Sequence, residues 1–357
     1  MKVLITGATG FIGRFLAKHC LETGCVVLGL DIESPTEEWP AAPFEDCDVR
    51  SAPRLLHLIK TFRPDRIFHL AAQSYPTVSL KQPYDTMDIN AGGTITLFEC
   101  LRIAGSMPMV VVACSSAEYG PVASTDLPVR ETHPLRPLHP YGVSKVAQDL
   151  LAAQYFVNYS IPSVRIRLFN TTGPSKIGDV CSDLIQRAVQ IELGIRPPSL
   201  PIGNLTSRRT ITDVRDTARA LWLSAEHCEP GEVYNVGGNC IYSVHELLEK
   251  IRGLVGVTFE VVEDRTLMRG YDEPVIAGDI QKFQRCTGWK PQIELAGTLQ
   301  DMVDWWRRRL TQVCETEAKP FPTADSPFHK TLESTLTKCG ESTETADAPT
   351  RTSFHRN

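Results

Sequence analysis

Disulfide patterning, membrane spans and an excess of basic charge are all missing from this chain. Its 11 cysteines contain no C-x-x-C pair and keep no regular spacing, so they read as reduced thiols and not as a disulfide framework. No apolar run approaches the roughly 18 residues of a membrane span. Only Lys2 precedes the first apolar strand, which leads directly into glycines, so no signal peptide is expected and the expected location is the cytoplasm. With 37 Lys and Arg against 42 Asp and Glu, the formal charge of −5 argues against nucleic acid or an anionic membrane as a partner. No metal-ligand spacing stands out, and no metal is expected. Residues 311–357 hold neither Trp nor Tyr and are rich in Thr, Ser, Glu, Lys and Pro, which predicts a disordered tail. Apolar surface, in contrast, is plentiful: 42% hydrophobic residues over 357 positions suffice for a large core, in one elaborated domain or two interlocked ones.

The most informative stretch is TGATGFIG, residues 6–13, directly after the apolar run 2–5. Gly7, Gly10 and Gly13 open a helix behind a β-branched strand, an arrangement that suits a dinucleotide pyrophosphate. The first glycine permits the tight turn, the second lets backbone approach phosphate, and the third lets helix and strand pack closely. Thr9, Phe11 and Ile12 belong to the same cradle, where the helix N-terminus offers free N–H groups and positive dipole. CVVLGLD, residues 25–31, reads as the next strand and ends on Asp31, where a carboxylate holds adenosine ribose hydroxyls. An anion there repels a 2′-phosphate, so NAD is the expected cofactor, with NADP the alternative.

Strand-like runs at 2–6, 25–30, 66–70, 109–114 and 163–169 alternate with helical patterns at 11–23, 52–62, 85–104 and 141–159. That order predicts a parallel sheet with right-handed crossovers. Proline clusters at 35–43 and 121–140 mark surface loops, and the second is placed to act as a lid. Beyond residue 170 the pattern becomes irregular. Helices are expected at 182–193, 213–225, 244–255 and 295–310, and strands at 232–237 and 258–262.

YGVSK supplies Tyr141 and Lys145, four residues apart on one helix face. A phenol titrating near 10 is a poor base at neutral pH, and a neighbouring ammonium together with a positive nicotinamide ring lowers that value. Tyr141 is thus the candidate proton carrier of a hydride-transfer site, and both residues also count as cofactor contacts.

The GxxGxxG spacing together with Tyr-x-x-x-Lys resembles the short-chain dehydrogenase/reductase superfamily in its extended, nucleotide-sugar-modifying branch. The resemblance covers about residues 1–310. It implies an α/β fold, a Rossmann-type doubly wound parallel sheet with a smaller α/β substrate-binding region towards the C-terminus. The NAD-binding part is expected over 1–170 with 210–237 returning to it, and the nucleotide-sugar region over 171–209 and 238–310. In CSSAEYG the resemblance points to Ser115 as the third catalytic residue. It places Asp48 and Val49 against adenine and the loop holding Leu70, Ala71 and Ala72 against the cofactor's ribose and phosphates. His69 reads as a packed structural histidine, and Asn90 is expected to support the site and touch substrate.

RLFNTTGP, GNLTSRRTITDVRD, EVYNVGG and RGYDEP resemble the GDP-mannose-derived branch, which contains 4,6-dehydratases and 4-keto-6-deoxy-mannose reductases. Carried across, Asn170, Arg187, Arg209 and Arg269 are the expected ligands of a nucleotide-diphosphate-sugar, arginine suiting phosphate through its planar fork. A dehydratase of that pattern has a carboxylate two residues after the catalytic Ser or Thr. Here that position is Ala117, and the nearest acid is Glu118, one place late. The expectation is therefore a GDP-4-keto-6-deoxy-hexose reductase using NAD(P)H. A 4,6-dehydratase or 4-epimerase with tightly bound NAD, and a non-catalytic nucleotide-sugar binder, stand as alternatives. The resemblance also implies a homo-oligomer, a dimer or tetramer, through the helices at 85–104 and 141–159.

Overall fold

A computed structural model describes residues 1–36, 38–267 and 275–317. The first strand, β1 (Lys2–Thr6), is buried at every position after Lys2. It therefore reads as a continuous apolar run, as strands covered on both faces do. Its neighbours are β2 (Val26–Asp31), β3 (Phe44–Asp46), β4 (Arg66–His69), β5 (Met109–Ser115), β6 (Ser163–Leu168) and β11 (Val233–Val236), with the intervening strands placed below. They form one seven-stranded sheet in the order β11-β6-β5-β4-β1-β2-β3, parallel throughout. The order reverses between β1 and β4, which places the ligand crevice at the carboxyl ends of those strands. Register decides what reaches it. Thr6 pairs with His69 and His69 with Val112, so β5 runs on to Ser115 past the end of its neighbour.

Both faces of the sheet are covered. On one, α1 (Phe11–Glu22) and α8 (Val214–His227) share a core with Val3, Ile5 and Phe68. On the other, α2 (Ala52–Phe62), α5 (Gly93–Ala104) and α6 (Pro140–Tyr159) pack on Leu4, Ile67 and Val112. Short helices α3 (Pro76–Lys81) and α4 (Pro83–Met87) precede α5. A third core gathers α7 (Val180–Glu192), β8 (Ser199–Ile202), α9 (Val244–Arg252) and α11 (Leu295–Glu317). Small ladders surround it: β7 (Thr171–Thr172) with β10 (Thr212–Asp213), β9 (Arg208–Thr210) between β12 (Ile241–Ser243) and β14 (Val275–Ile276), and β13 (Glu260–Glu263) on β8. Residues 1–310 form one compact unit.

Several sequence expectations change. The helical pattern at 85–104 is not one α-helix, because a π-helical turn at Asp88–Gly92 separates α4 from α5. The proline-rich stretch hid β3. Helix α10 (Gln281–Thr287) was not foreseen, and Ile280, Phe283 and Trp289 pack with Tyr234 and Val236 in the first core. Part of the region 238–310 therefore returns to the large sheet. Order does not stop at residue 310, since α11 continues to Glu317; the rest of the expected tail lies outside the described residues. The loop 121–140 is not a free lid. Val129 exchanges backbone hydrogen bonds with Ala277 and Asp279 (2.9 and 2.8 Å), and Asn235 N–H donates to the Glu131 carboxylate (2.9 Å).

Candidate active site

The glycine turn is built by exclusion. Gly7 has φ +70°, and a Cβ there would lie 2.6 Å from Ala71 N and 2.8 Å from Leu70 C. The strand-end loop holding Leu70, Ala71 and Ala72 is thus pressed against the turn. A Cβ on Gly13 would meet Gly7 O at 2.3 Å and Ala8 O at 2.5 Å, so close helix–strand packing requires glycine there too. Over Gly10 the space stays open apart from the Gly7 peptide, and α1 begins with no side-chain cap. Its first N–H groups are left for an anion. The residues present fit a dinucleotide diphosphate.

Asp31, at the end of β2, does more than the sequence suggested. Its Oδ2 accepts from Thr9 N (3.0 Å) and Thr9 Oγ1 (2.8 Å), which ties the glycine loop to the next strand. The carboxylate stays half-exposed at the sheet edge. Asp48 is fixed by Arg50 at 2.6 Å, whose guanidinium holds that carboxyl below its ordinary range. Val49 is buried under α5, where a Cβ on Gly93 would strike Val49 Cγ1 at 2.6 Å.

Ser115, Tyr141 and Lys145 are brought together as expected. Ser115 caps the 3-10 turn Ser116–Glu118, accepting from Ala117 N at 3.2 Å, and its side chain hydrogen-bonds Tyr141. Tyr141 lies in the first turn of α6 and stacks on His139, ring centroids 5.9 Å apart. His139 caps that helix through Nδ1, which accepts from Gly142 N at 3.0 Å. Lys145 Nζ donates to Ala113 O (2.9 Å) and lies 5.8 Å from the Tyr141 ring centre. Burial pushes the phenol up to about 12, against the Ser115 hydrogen bond, and brings the ammonium down to about 8.

Asn90 is fully buried, and its amide is engaged internally: Oδ1 accepts from Gln73 N (2.7 Å), while Nδ2 donates to Gln73 O (3.0 Å) and Ser144 Oγ (2.8 Å). It ties the start of α6, which carries Tyr141 and Lys145, to the loop holding Gln73. His69 is the structural residue expected. Its ring bonds Thr6 and Thr94, both at 2.9 Å, and burial with the Lys145 charge nearby lowers it to about 3.

Beneath Ser115 lie residues that sequence reasoning missed, Asp149, Arg165 and Arg167, grouped around the Glu118 it had named. Glu118 turns into the core, its Oε1 accepting Ser115 N–H (2.8 Å) and its Oε2 lying 3.2 Å from Arg167 Nε. Asp149 accepts from the same Arg167 Nε (2.9 Å) and from Arg165 (2.8 Å). Burial and the Asp149 charge, opposed by Arg167, raise Glu118 to about 8. Cys114, Glu118 and Asp149 bring three metal-type ligands within 4.8 Å, but Arg167 already neutralises that pocket. The signal was present as two arginines inside β6, SVRIRL, alternating with apolar residues in the middle of the sheet.

Of the expected phosphate ligands, Asn170 is exposed, with Nδ2 3.4 Å from Thr210 O. Arg187 donates to Pro201 O (2.7 Å) from α7, and Arg209 to Arg208 O (3.0 Å) on β9. Arg269 lies outside the described residues.

A doubly wound sheet with a glycine turn at its switch point, and a serine, tyrosine and lysine gathered at the ends of β5 and α6, defines a nicotinamide-dependent oxidoreductase of the extended short-chain dehydrogenase/reductase type. Comparison with known proteins narrows this. The chain belongs to the GDP-mannose 4,6 dehydratase family, whose model matches residues 4–302. It is similar to the GDP-6-deoxy-D-mannose reductase of Pseudomonas aeruginosa, 27% identical over 87% of this chain and 99% of that protein. The solved structure of RMD from Pseudomonas aeruginosa with NADPH superposes with TM-score 0.78 at 27% identity, covering 86% of this chain and 99% of the other. A Thermus thermophilus UDP-glucose 4-epimerase in complex with NAD gives TM-score 0.75 at 28% identity, covering 86% and 99%.

Proposed function

We propose that the protein reduces the 4-keto group of a GDP-4-keto-6-deoxy-hexose. The observation that carries this reading is the direction of Glu118. Position 117 is alanine, and the neighbouring acid is turned into the core, where its Oε1 accepts Ser115 N–H and its Oε2 lies 3.2 Å from Arg167 Nε. The site keeps the residues a carbonyl reduction needs and turns away the carboxylate that elimination of a C6 hydroxyl would use. The name of the Pseudomonas relative agrees with it.

Gly7, Thr9, Gly10, Phe11, Ile12 and Gly13 hold the dinucleotide's diphosphate in this reading, Asp31 its adenosine ribose, and Asp48 and Val49 its adenine. Bound and reduced, the nicotinamide supplies the hydride for C4. Tyr141, protonated at neutral pH because burial raises it to about 12, gives its proton to the C4 oxygen. Ser115 Oγ hydrogen-bonds that same oxygen. Lys145, held on Ala113 O, places positive charge beside the phenolate left behind. Asn170, Arg187, Arg209 and Arg269 take the GDP diphosphate and sugar. The Asp31 carboxylate favours NADH over NADPH. The location that goes with this reading is the cytoplasm, and the assembly a homodimer.

The test is to denature the purified protein, identify any released nucleotide, and assay GDP-mannose and GDP-4-keto-6-deoxy-mannose separately with and without NADH. Stoichiometric NADH loss with the keto-sugar alone is expected. Conversion of a GDP-sugar with co-purified NAD and no net NADH change would instead establish a dehydratase or epimerase.

A further inference from the structure

Two thiols from distant parts of the chain meet where α8 ends. Cys228 is the residue at which that helix stops, its N–H donating to Ser224 O (3.1 Å), and Cys286 stands in the last turn of α10. Cys286 Sγ lies 3.6 Å from Cys228 Sγ and 3.0 Å from His227 O, so its S–H points into the end of α8. The contact joins residues 58 apart in sequence. It is made by an anchored element, because Phe283 on α10 packs against Tyr234 and Trp289.

The two sulfurs differ in access. Cys286 is half-exposed, whereas Cys228 is 5% exposed. Tyr234 Oη, which accepts Glu229 N–H (3.3 Å), stands beside both thiols, and Lys282 Nζ rests 4.5 Å from the Tyr234 ring centre. Burial and the adjacent Cys286 push the Cys228 thiol up, against Tyr234 and the Lys282 charge. An oxidant arriving from solvent therefore meets Cys286 first, with Cys228 behind it as the second sulfur. Cys20, Cys100, Cys114 and Cys181 are buried and offer no such access. To bond, the two sulfurs must approach by about 1.5 Å, which rotation of the half-exposed Cys286 side chain can supply.

We propose that Cys228 and Cys286 are an oxidation site, closing into a disulfide when the protein meets a hydroperoxide. The Cys286 sulfur attacks one peroxide oxygen and the O–O bond breaks. Cys286 becomes a sulfenic acid, and the other oxygen leaves with the thiol proton as water or alcohol. The Cys228 sulfur then displaces the sulfenic oxygen, which leaves as water with the Cys228 proton. Two electrons have passed from the thiol pair to the peroxide, and exchange with a small thiol returns both cysteines to the reduced state. The consequence is structural. Between its two cysteines the chain passes through β11, leaves the large sheet to build β12, α9, β13 and β14, and returns as α10. The disulfide clamps the base of that excursion, and a cross-link restricts the unfolded chain most where the closed loop is long.

The experiment treats the full chain with hydrogen peroxide, digests it without reductant using a glutamate-specific protease, and maps the peptides by mass spectrometry. Cleavage at Glu232 separates Cys228 from Cys240. The expected result is loss of two hydrogens in mass and a linked pair of peptides holding Cys228 and Cys286. The melting temperature should rise by about 5 °C, and dithiothreitol should reverse all three changes. C228S should leave Cys286 as a sulfenic acid that dimedone captures, and C286S should lose the linkage and the shift together. Wild-type Cys286 advancing to a sulfinic acid with no linkage would overturn the site, as would a linkage through Cys240. Linkage with an unmoved melting temperature would overturn the clamp. Melting of the reduced variants shows whether they fold, and the wild-type peptide map depends on neither.

Discussion

Ala117 and Glu118 are adjacent in the chain, yet their side chains serve opposite sides of the 3-10 turn after β5. Glu118 is the third residue of that turn, so it completes a capping box with Ser115 and faces inward. Its carboxyl holds a proton more tightly in the folded chain, at about 8 against an ordinary 4.5. The folded state therefore carries an extra proton between those values. The group's contribution to stability is complete below 4.5 and is lost as pH rises through 8. Glu118→Gln keeps an acceptor for Ser115 N–H and removes the titration. The wild-type melting temperature should fall relative to this variant between about pH 5 and 8.5, and parallel profiles would show that this carboxyl does not titrate as described. Tyr141→Phe acts on chemistry alone. It should lower kcat on the keto-sugar by about a hundredfold or more with NADH affinity retained, and near wild-type turnover would remove Tyr141 as the proton donor. Asp31→Ala should narrow the preference for NADH over NADPH in a comparison of kcat/KM, and an unchanged ratio would take the ribose contact away from Asp31.

At the scale of elements, the segment from β1 through the glycine loop into α1 was legible because its requirements are local. A turn at φ +70° and two backbone approaches inside 3 Å admit only glycine, and the glycines stand in the chain at those points. Gly13→Ala tests this, since its Cβ would lie 2.3 Å from Gly7 O. Overpacking of that kind costs about 1–3 kcal/mol, read by urea unfolding, and should also weaken NADH binding. Elements fixed by distant partners were not legible. Helix α10 has only seven residues, and what secures it is Phe283 against Tyr234 and Trp289, contacts of the tertiary fold. Strand β3 is short and emerges from a proline-rich stretch, so neither length nor periodicity announced it. In the site the same division holds. Tyr141 and Lys145 carry a spacing signature and Ser115 follows from the family resemblance, whereas the inward turn of Glu118 depends on Arg167 and Asp149, far away in sequence. Asn90 was legible by resemblance, while the partners that hold its amide, Gln73 and Ser144, come from separate segments and were not.

Among the described residues, α5 and α6 leave an apolar stripe without an internal partner. On α6, Val143, Leu150 and Val157 recur every seven residues and are 45, 56 and 76% exposed. That spacing aligns them in one stripe. On α5, which packs beside α6 in the same core, Ile95 and Ile103 are exposed as well. An exposed apolar stripe on a helix is the signature of a surface that meets another helix. Because α5 and α6 stand side by side, a second copy related by a two-fold axis would present the same pair, giving a self-complementary four-helix contact. The consequence for function is specific. Tyr141 and Lys145 sit near the start of α6, and Asn90 ties that start to the loop holding Gln73. Packing along α6 would therefore stiffen the helix that presents both reacting side chains. Val157→Asp, at the most exposed position of the stripe, disturbs no internal core. In light scattering after gel filtration it should halve the mass of the wild-type particle while leaving the NADH dissociation constant in place. A wild type already monomeric at micromolar concentration, or a variant of unchanged mass, would show that this stripe does not join two copies.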